Sequence, residues 1–105
     1  IDLKGQATAP GATARAFWSR RSGMTFAVNQ LPALPAGKAY QVWVVTADQA
    51  LSAGLLTLDT SGNTSQYFKT PEDVPTPVAI AVTLEPAGGV PQPTGDKVLV
   101  GYVGN

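Results

Sequence analysis

The chain has 105 residues, 44% of them hydrophobic, and seven Lys plus Arg balance seven Asp plus Glu for a formal net charge of zero. That length supports one core rather than two, and the even charge lacks the basic excess that nucleic-acid or membrane-surface binding needs. Cys and His are both absent, which removes disulfides, thiolate nucleophiles, Cys-based zinc sites, the Ser-His-Asp triad and the commonest general base.

No apolar run approaches the roughly 20 residues of a membrane-spanning helix, and Ile1 to Lys4 lacks the charged start and apolar stretch of a signal peptide. In chain order, Ile1 to Thr8 reads as a short mixed segment suited to an edge strand, broken at Ala9-Pro10-Gly11. From Thr13, Ala14, Ala16 and Trp18 share one face and Arg15 and Phe17 the other. Ser22-Gly23 then predicts a hairpin turn into Met24, Phe26 and Val28. Leu31 to Gly37 is a loop stiffened by two prolines, with Leu31 and Leu34 expected on the core. Tyr40 to Thr46 is apolar on both faces and belongs inside a sheet. Leu51 to Leu58 follows, its Gly54 marking a bulge or a close backbone approach. Asp59 to Asn63 predicts a hairpin turn into Ser65 to Lys69, and the proline-rich Thr70 to Pro77 allows a single helical turn or a plain loop. Val78 to Leu84 alternates at strand period, Val78, Ile80, Val82 and Leu84 sharing one face. Glu85 to Gly95 is a long stiff loop with Pro86, Pro91 and Pro93 restricting the backbone. Lys97 to Val103 closes the chain as a last strand. Helix-period segments are missing throughout. Seven to eight short strands separated by turn residues predict a single all-β domain over residues 1–105, an antiparallel β-sandwich.

Few side chains offer chemistry. Glu85 stands at a strand-to-loop junction as a candidate ligand or catalytic carboxylate. The plainer reading is favoured: no second acid stands at useful spacing, so Glu85 accepts N–H bonds from the Gly88-Gly89 turn and holds the loop closed. Glu72 and Asp73 are adjacent rather than facing, unlike paired catalytic acids. Tyr40, Trp43, Trp18 and Tyr102 could form a platform for a sugar or peptide, but aromatics at strand period are more often core. Trp43 is assigned to the core; Trp18, beside Arg20 and Arg21, could lie on either side of that division. Arg15, Arg20 and Arg21 read as a solvated basic face. Gly88-Gly89 lacks the Lys-Ser/Thr ending of a phosphate loop, and Asp59 to Asn63 lacks the bidentate Glu of a calcium loop. No catalytic, cofactor-binding or metal-binding set is expected.

Three blocks, in the same order along the chain, carry a family resemblance. Thr83-Leu-Glu-Pro-Ala-Gly-Gly89 with Pro91-Gln-Pro-Thr-Gly95 resembles the signature of the C-terminal domain of anti-sigma-K factors. Upstream, Leu31-Pro-Ala-Leu-Pro-Ala-Gly-Lys-Ala-Tyr-Gln-Val-Trp43, followed by Ser52-Ala-Gly54, is similar to the same family. The resemblance implies signature positions at Tyr40, Gln41, Trp43, Gly54, Glu85, Pro86, Gly88, Gly89, Pro91, Pro93, Thr94 and Gly95, and no catalytic residue. It further implies a parent similar to a single-pass membrane anti-sigma factor, whose cytoplasmic part silences an extracytoplasmic-function sigma factor. This stretch would then lie on the extracytoplasmic side, next to a membrane helix outside this sequence. A site-1-type protease would cut there first, and a second cleavage within the membrane would free the sigma factor. The competing class is a stand-alone extracellular carbohydrate- or peptide-binding module. A small hydrolase is disfavoured by the missing His and Cys.

Overall fold

Stretches in which apolar residues recur at every second position can bury one face only as strands, and eight such strands form in a computed structural model that describes residues 1–19, 21–59, 61–70 and 76–103. They are β1 (Asp2–Gly5), β2 (Thr13–Ser19), β3 (Gly23–Asn29), β4 (Lys38–Val45), β5 (Ala50–Leu55), β6 (Thr64–Phe68), β7 (Ala79–Pro86) and β8 (Lys97–Tyr102). All pair antiparallel in one sheet of order β5-β4-β7-β8-β1-β2-β3-β6. The predicted all-β, antiparallel sandwich is therefore present, built from one sheet bent onto itself. The join is narrowest between β8 and β1, where only Lys4↔Val100 and Gly5↔Leu99 are in register.

The inward face is the core. Met24, Phe26 and Val28 from β3, Val42 and Val44 from β4, Ile80 and Val82 from β7 and Leu99 from β8 are all at most 2% exposed. Burying a side chain of this size stabilises the fold by about 1.5–3 kcal/mol each.

The two edges, β5 and β6, do not pair in register, yet they are joined. Gln66 on β6 donates from Nε2 to the Leu55 carbonyl (2.9 Å), and its Oε1 accepts the Thr57 N–H (3.0 Å). One side-chain amide thus stands in for a backbone partner at the seam and blunts both edges. At the same seam Gly54 (φ +141°) leaves room for the Phe68 ring, whose Cε1 would lie 3.0 Å from an added Cβ. The bulge expected at Gly54 is real: the β4–β5 register slips between Val42 and Trp43.

The β2–β3 hairpin and the interior position of β4 match expectation. Four details do not. The segment suited to an edge, β1, lies inside the sheet between β8 and β2, because β8 returns along its open side. Asp59 to Asn63 does turn, with Asp59 Oδ1 accepting the Ser61 and Asn63 N–H groups. It does not make a hairpin, since β5 and β6 are opposite edges. Leu31 is buried but Leu34 is 38% exposed, and Val78, just before β7, is 46% exposed. Arg20, Thr60, most of the 70–77 segment and the Glu72–Asp73 pair lie outside the described residues.

Gln66→Ala is expected to cost about 1–3 kcal/mol, the value of two modest hydrogen bonds, and to raise amide exchange at Thr57 selectively. Unchanged exchange at Thr57 in a hydrogen–deuterium experiment would rule out the amide as the seam's closure.

Candidate functional site

On β4 and β7 the outward face is also buried, although no strand covers it. In register, Gln41 faces Thr83 and Trp43 faces Ala81, and all four are under 5% exposed. The 87–96 loop makes the cover, and two polar anchors hold it down.

The first anchor is the Gln41 side chain. Its Nε2 donates to the Val90 carbonyl (3.0 Å) and to Ser52 Oγ (2.6 Å), and its Oε1 accepts the Val90 N–H (3.0 Å). The amide pairs with Val90 as a neighbouring strand would, so the loop is stitched to β4 and β5 together. Pro86, Gly88 and Gly89 deliver Val90 to it. The Gly89 N–H closes a turn on the Pro86 carbonyl (2.9 Å), and Gly88 and Gly89 have φ of +92° and +81°.

The second anchor is Glu85, which is 0% exposed. Its carboxylate accepts from Thr83 Oγ1 (2.5 Å), from Thr94 Oγ1 (2.6 Å), from the Thr94 N–H (3.1 Å to Oε2) and from the Gly95 N–H (3.1 Å to Oε2). Thr83 Oγ1 in turn accepts the Trp43 indole N–H (2.8 Å). A carboxylate offers about four lone-pair sites, and four donors from this chain fill them. The carboxylate is thus engaged by donors of its own chain. Burial pushes its carboxyl up, but the hydrogen bonds from Thr83, Thr94 and Gly95 prevail, and its pKa lies below the ordinary Glu value. Gly95 is required by contact rather than by φ: a Cβ there would strike the Leu84 carbonyl oxygen.

The expected role of Glu85 in holding the loop is thus correct, but its donors are not those expected. They come from Thr94 and Gly95, nine and ten residues on, and not from Gly88-Gly89. Trp43 is fully buried, as assigned, though on the outward face of β4 and not among the inward core. Tyr40 is buried, its hydroxyl donating to the Pro32 carbonyl (2.8 Å), while Pro91, Pro93 and Thr94 lie on the exposed side of the loop. The aromatic platform sketched from the sequence does not assemble. Tyr40 and Trp43 are buried, Trp18 is half-buried and Tyr102 stands alone of the four at 75% exposed. Sequence reasoning missed Thr83 and Ser52. The available signal was polar residues at outward positions of otherwise apolar strands. Arg15 pairs with Asp2 (2.7 Å) on an exposed face, and among the described residues no group of acidic side chains could hold a metal.

These features define a class: an all-β domain in which the one buried charge among the described residues fixes a loop. A family profile described as "Anti-sigma-K factor rskA, C-terminal" matches residues 2–98, and the chain belongs to that family. Among curated relatives it is similar to "Anti-sigma-K factor RskA" of Mycolicibacterium vanbaalenii, 34% identical over 85 residues, or 80% of this chain and 35% of the relative. A protein of the same name from Mycobacterium ulcerans is 34% identical over 86 residues, covering 81% of this chain and 36% of the relative. The chain therefore spans about a third of the length of the curated relatives it matches. No solved structure matches it.

Two outcomes follow for the clasp. Trp43→Ala is expected to cost about 3–5 kcal/mol in urea denaturation, as for a large aromatic cut out of a packed site; a midpoint equal to the parent's would contradict its burial. For Glu85 the sign is fixed by its lowered pKa: its contribution is complete above the unfolded Glu value near 4.5 and is lost as pH falls through the lower folded value. Glu85→Gln should therefore cost about 2–3 kcal/mol at neutral pH, the worth of charge-assisted bonds. The gap to the parent should shrink toward pH 3. A cost equal at both pH values would show that the charge contributes nothing.

Proposed function

We propose that this chain is the extracytoplasmic regulatory domain of a single-pass membrane anti-sigma factor that controls an extracytoplasmic-function sigma factor through regulated proteolysis. The observation that carries the reading is the family match across residues 2–98, together with relatives named as anti-sigma-K factors, of which this chain is only one part. In this reading the sigma factor binds a cytoplasmic part of the parent, and a membrane helix outside this sequence joins the two. Among the described residues no helix is long and apolar enough to cross a membrane. A site-1-type protease acts on the extracytoplasmic side.

The chemistry of the fold supports a gate rather than a catalyst. Among the described residues the one fully buried carboxylate is engaged by its own chain, and neither His nor Cys is available for nucleophilic or acid–base work. A domain whose loop is clasped and whose edges are latched resists entry into a protease, which requires an extended substrate. Protease access then follows the population of the opened state, which rises tenfold for each ~1.4 kcal/mol of stability lost.

Val82 is fully buried in β7, and Val82→Ala removes about 2 kcal/mol of core packing. In the full-length parent, at matched expression, this change is expected to raise sigma-dependent reporter transcription without inducer. Reporter output that stays at the repressed level across variants spanning several kcal/mol would show that stability of this domain does not gate release.

A further inference from the structure

The outward face of β1, β2, β3 and β6 carries side chains that neither the core nor the clasp uses. Phe17 is 61% exposed and Tyr67 56% exposed. Phe17 faces Thr25, and Thr25 faces Tyr67, so both aromatics project outward from one row across three strands. Two strand spacings separate them, roughly 10 Å. Tyr67 is held down on the sheet: its hydroxyl donates to the Ser22 carbonyl, and the ring crosses Gly23, where a Cβ would come within 2.7 Å of the phenol oxygen. A ring fixed in this way presents its face at little entropic cost on binding. One row along lie Asp2 and Arg15, paired at 2.7 Å. Ala27 and Asn29 help to line a groove of about 550 Å³ beside them.

Exposed aromatic faces beside planar polar groups suit a ligand that has an apolar ring face and a rim of hydroxyls. The Asp2–Arg15 pair neutralises itself and leaves Lys4 as the single unbalanced charge lining the groove, too little to select a charged polymer, so the partner argued for is uncharged. A nucleic acid would need a basic excess that is absent. A peptide added as a strand would join an edge of the sheet, whereas Phe17, Thr25 and Tyr67 project from its face. We propose that this face binds an extended, uncharged, β-linked polysaccharide. Phe17 and Tyr67 stack on alternate sugar rings, whose spacing along such a chain is that of two strands, while Asp2, Arg15 and Asn29 take hydroxyl hydrogen bonds. The inference names a ligand class for the regulatory domain proposed above and rests on that reading for its signalling role, whereas the binding is measured without it.

The test uses the 105-residue chain, titrated with hexasaccharides of β-1,4-linked glucose and of β-1,4-linked N-acetylglucosamine and followed by amide NMR and calorimetry. Saturable binding is expected, with shifts concentrated at Thr25, Ala27 and Asn29. Phe17→Ala, at an exposed position, should leave the melting temperature unchanged and weaken binding about tenfold or more, as for truncation of one aromatic anchor. Leu34→Ala, exposed elsewhere, should bind as the parent does. Absence of saturable binding to either sugar, shifts that map off this face, or affinity unmoved by Phe17→Ala would each overturn the proposal. Any of these results would leave the reporter experiment, and so the regulatory reading, standing by itself.

Discussion

The Glu85 carboxylate must not be left unpaired, and much of the local structure follows from that constraint. An isolated ionised carboxylate in a dry site costs far more than a domain's whole margin of stability. Its four donors are therefore not optional contacts. Two of them are backbone N–H groups of Thr94 and Gly95, so satisfying the charge fixes a length of loop and not merely a side chain. The close packing of that loop on β7 forbids a Cβ at position 95. The Thr83 hydroxyl both donates to Glu85 and accepts from Trp43, which couples that buried indole to the same charge. Hydrogen bonds in such a chain polarise one another in a low dielectric, so deleting any member weakens the rest.

The clasp divides the sheet into two unlike halves. Over β4 and β7 the outward face is closed to water, and these strands are buried on both sides. Over β2 the outward face is wet, and the burial alternates at every residue from Thr13 to Phe17. The join between β8 and β1, with two residue pairs in register, is where one regime gives way to the other. A single sheet thus carries one covered outward surface and one open to solvent.

How much of this could be read in the residues depends on how local the responsible interaction is. Strand period and turn composition are local, and together they placed a strand near each of the eight observed. The β2–β3 hairpin and the double-sided burial of β4 were legible for the same reason. Pairing between distant strands is not local: nothing in Ile1 to Gly5 reveals that β8 returns beside it, so a central strand read as an edge. Asp59 to Asn63 has the composition of a hairpin turn, but turn residues specify a reversal and not which strands pair after it. Glu85 shows the same limit at a single side chain. Its nearest N–H groups in sequence belong to the Gly88-Gly89 turn, whereas the loop doubles back and brings Thr94 and Gly95 instead. Gln66 was illegible altogether, since a polar residue on an exposed strand position gives no sign that it bridges two edges.

A ligand that grips only the folded sheet can act on a folding-gated switch in one direction. Phe17, Thr25 and Tyr67 lie on three different strands, so their common row exists only while the sheet is intact. Binding there adds RT ln(1 + [L]/Kd) to stability, about 2.7 kcal/mol when free ligand is a hundred times Kd. At that level the opened population falls roughly a hundredfold. An occupied face would therefore protect the domain from proteolysis, and the signal for release would be loss of the polysaccharide, not its arrival. A ligand could promote opening only by favouring the opened chain over the folded one, and a surface assembled from three strands has no counterpart there. Under the gating and the sugar binding proposed above, regulation would therefore run in one direction: sugar on, sigma factor silent.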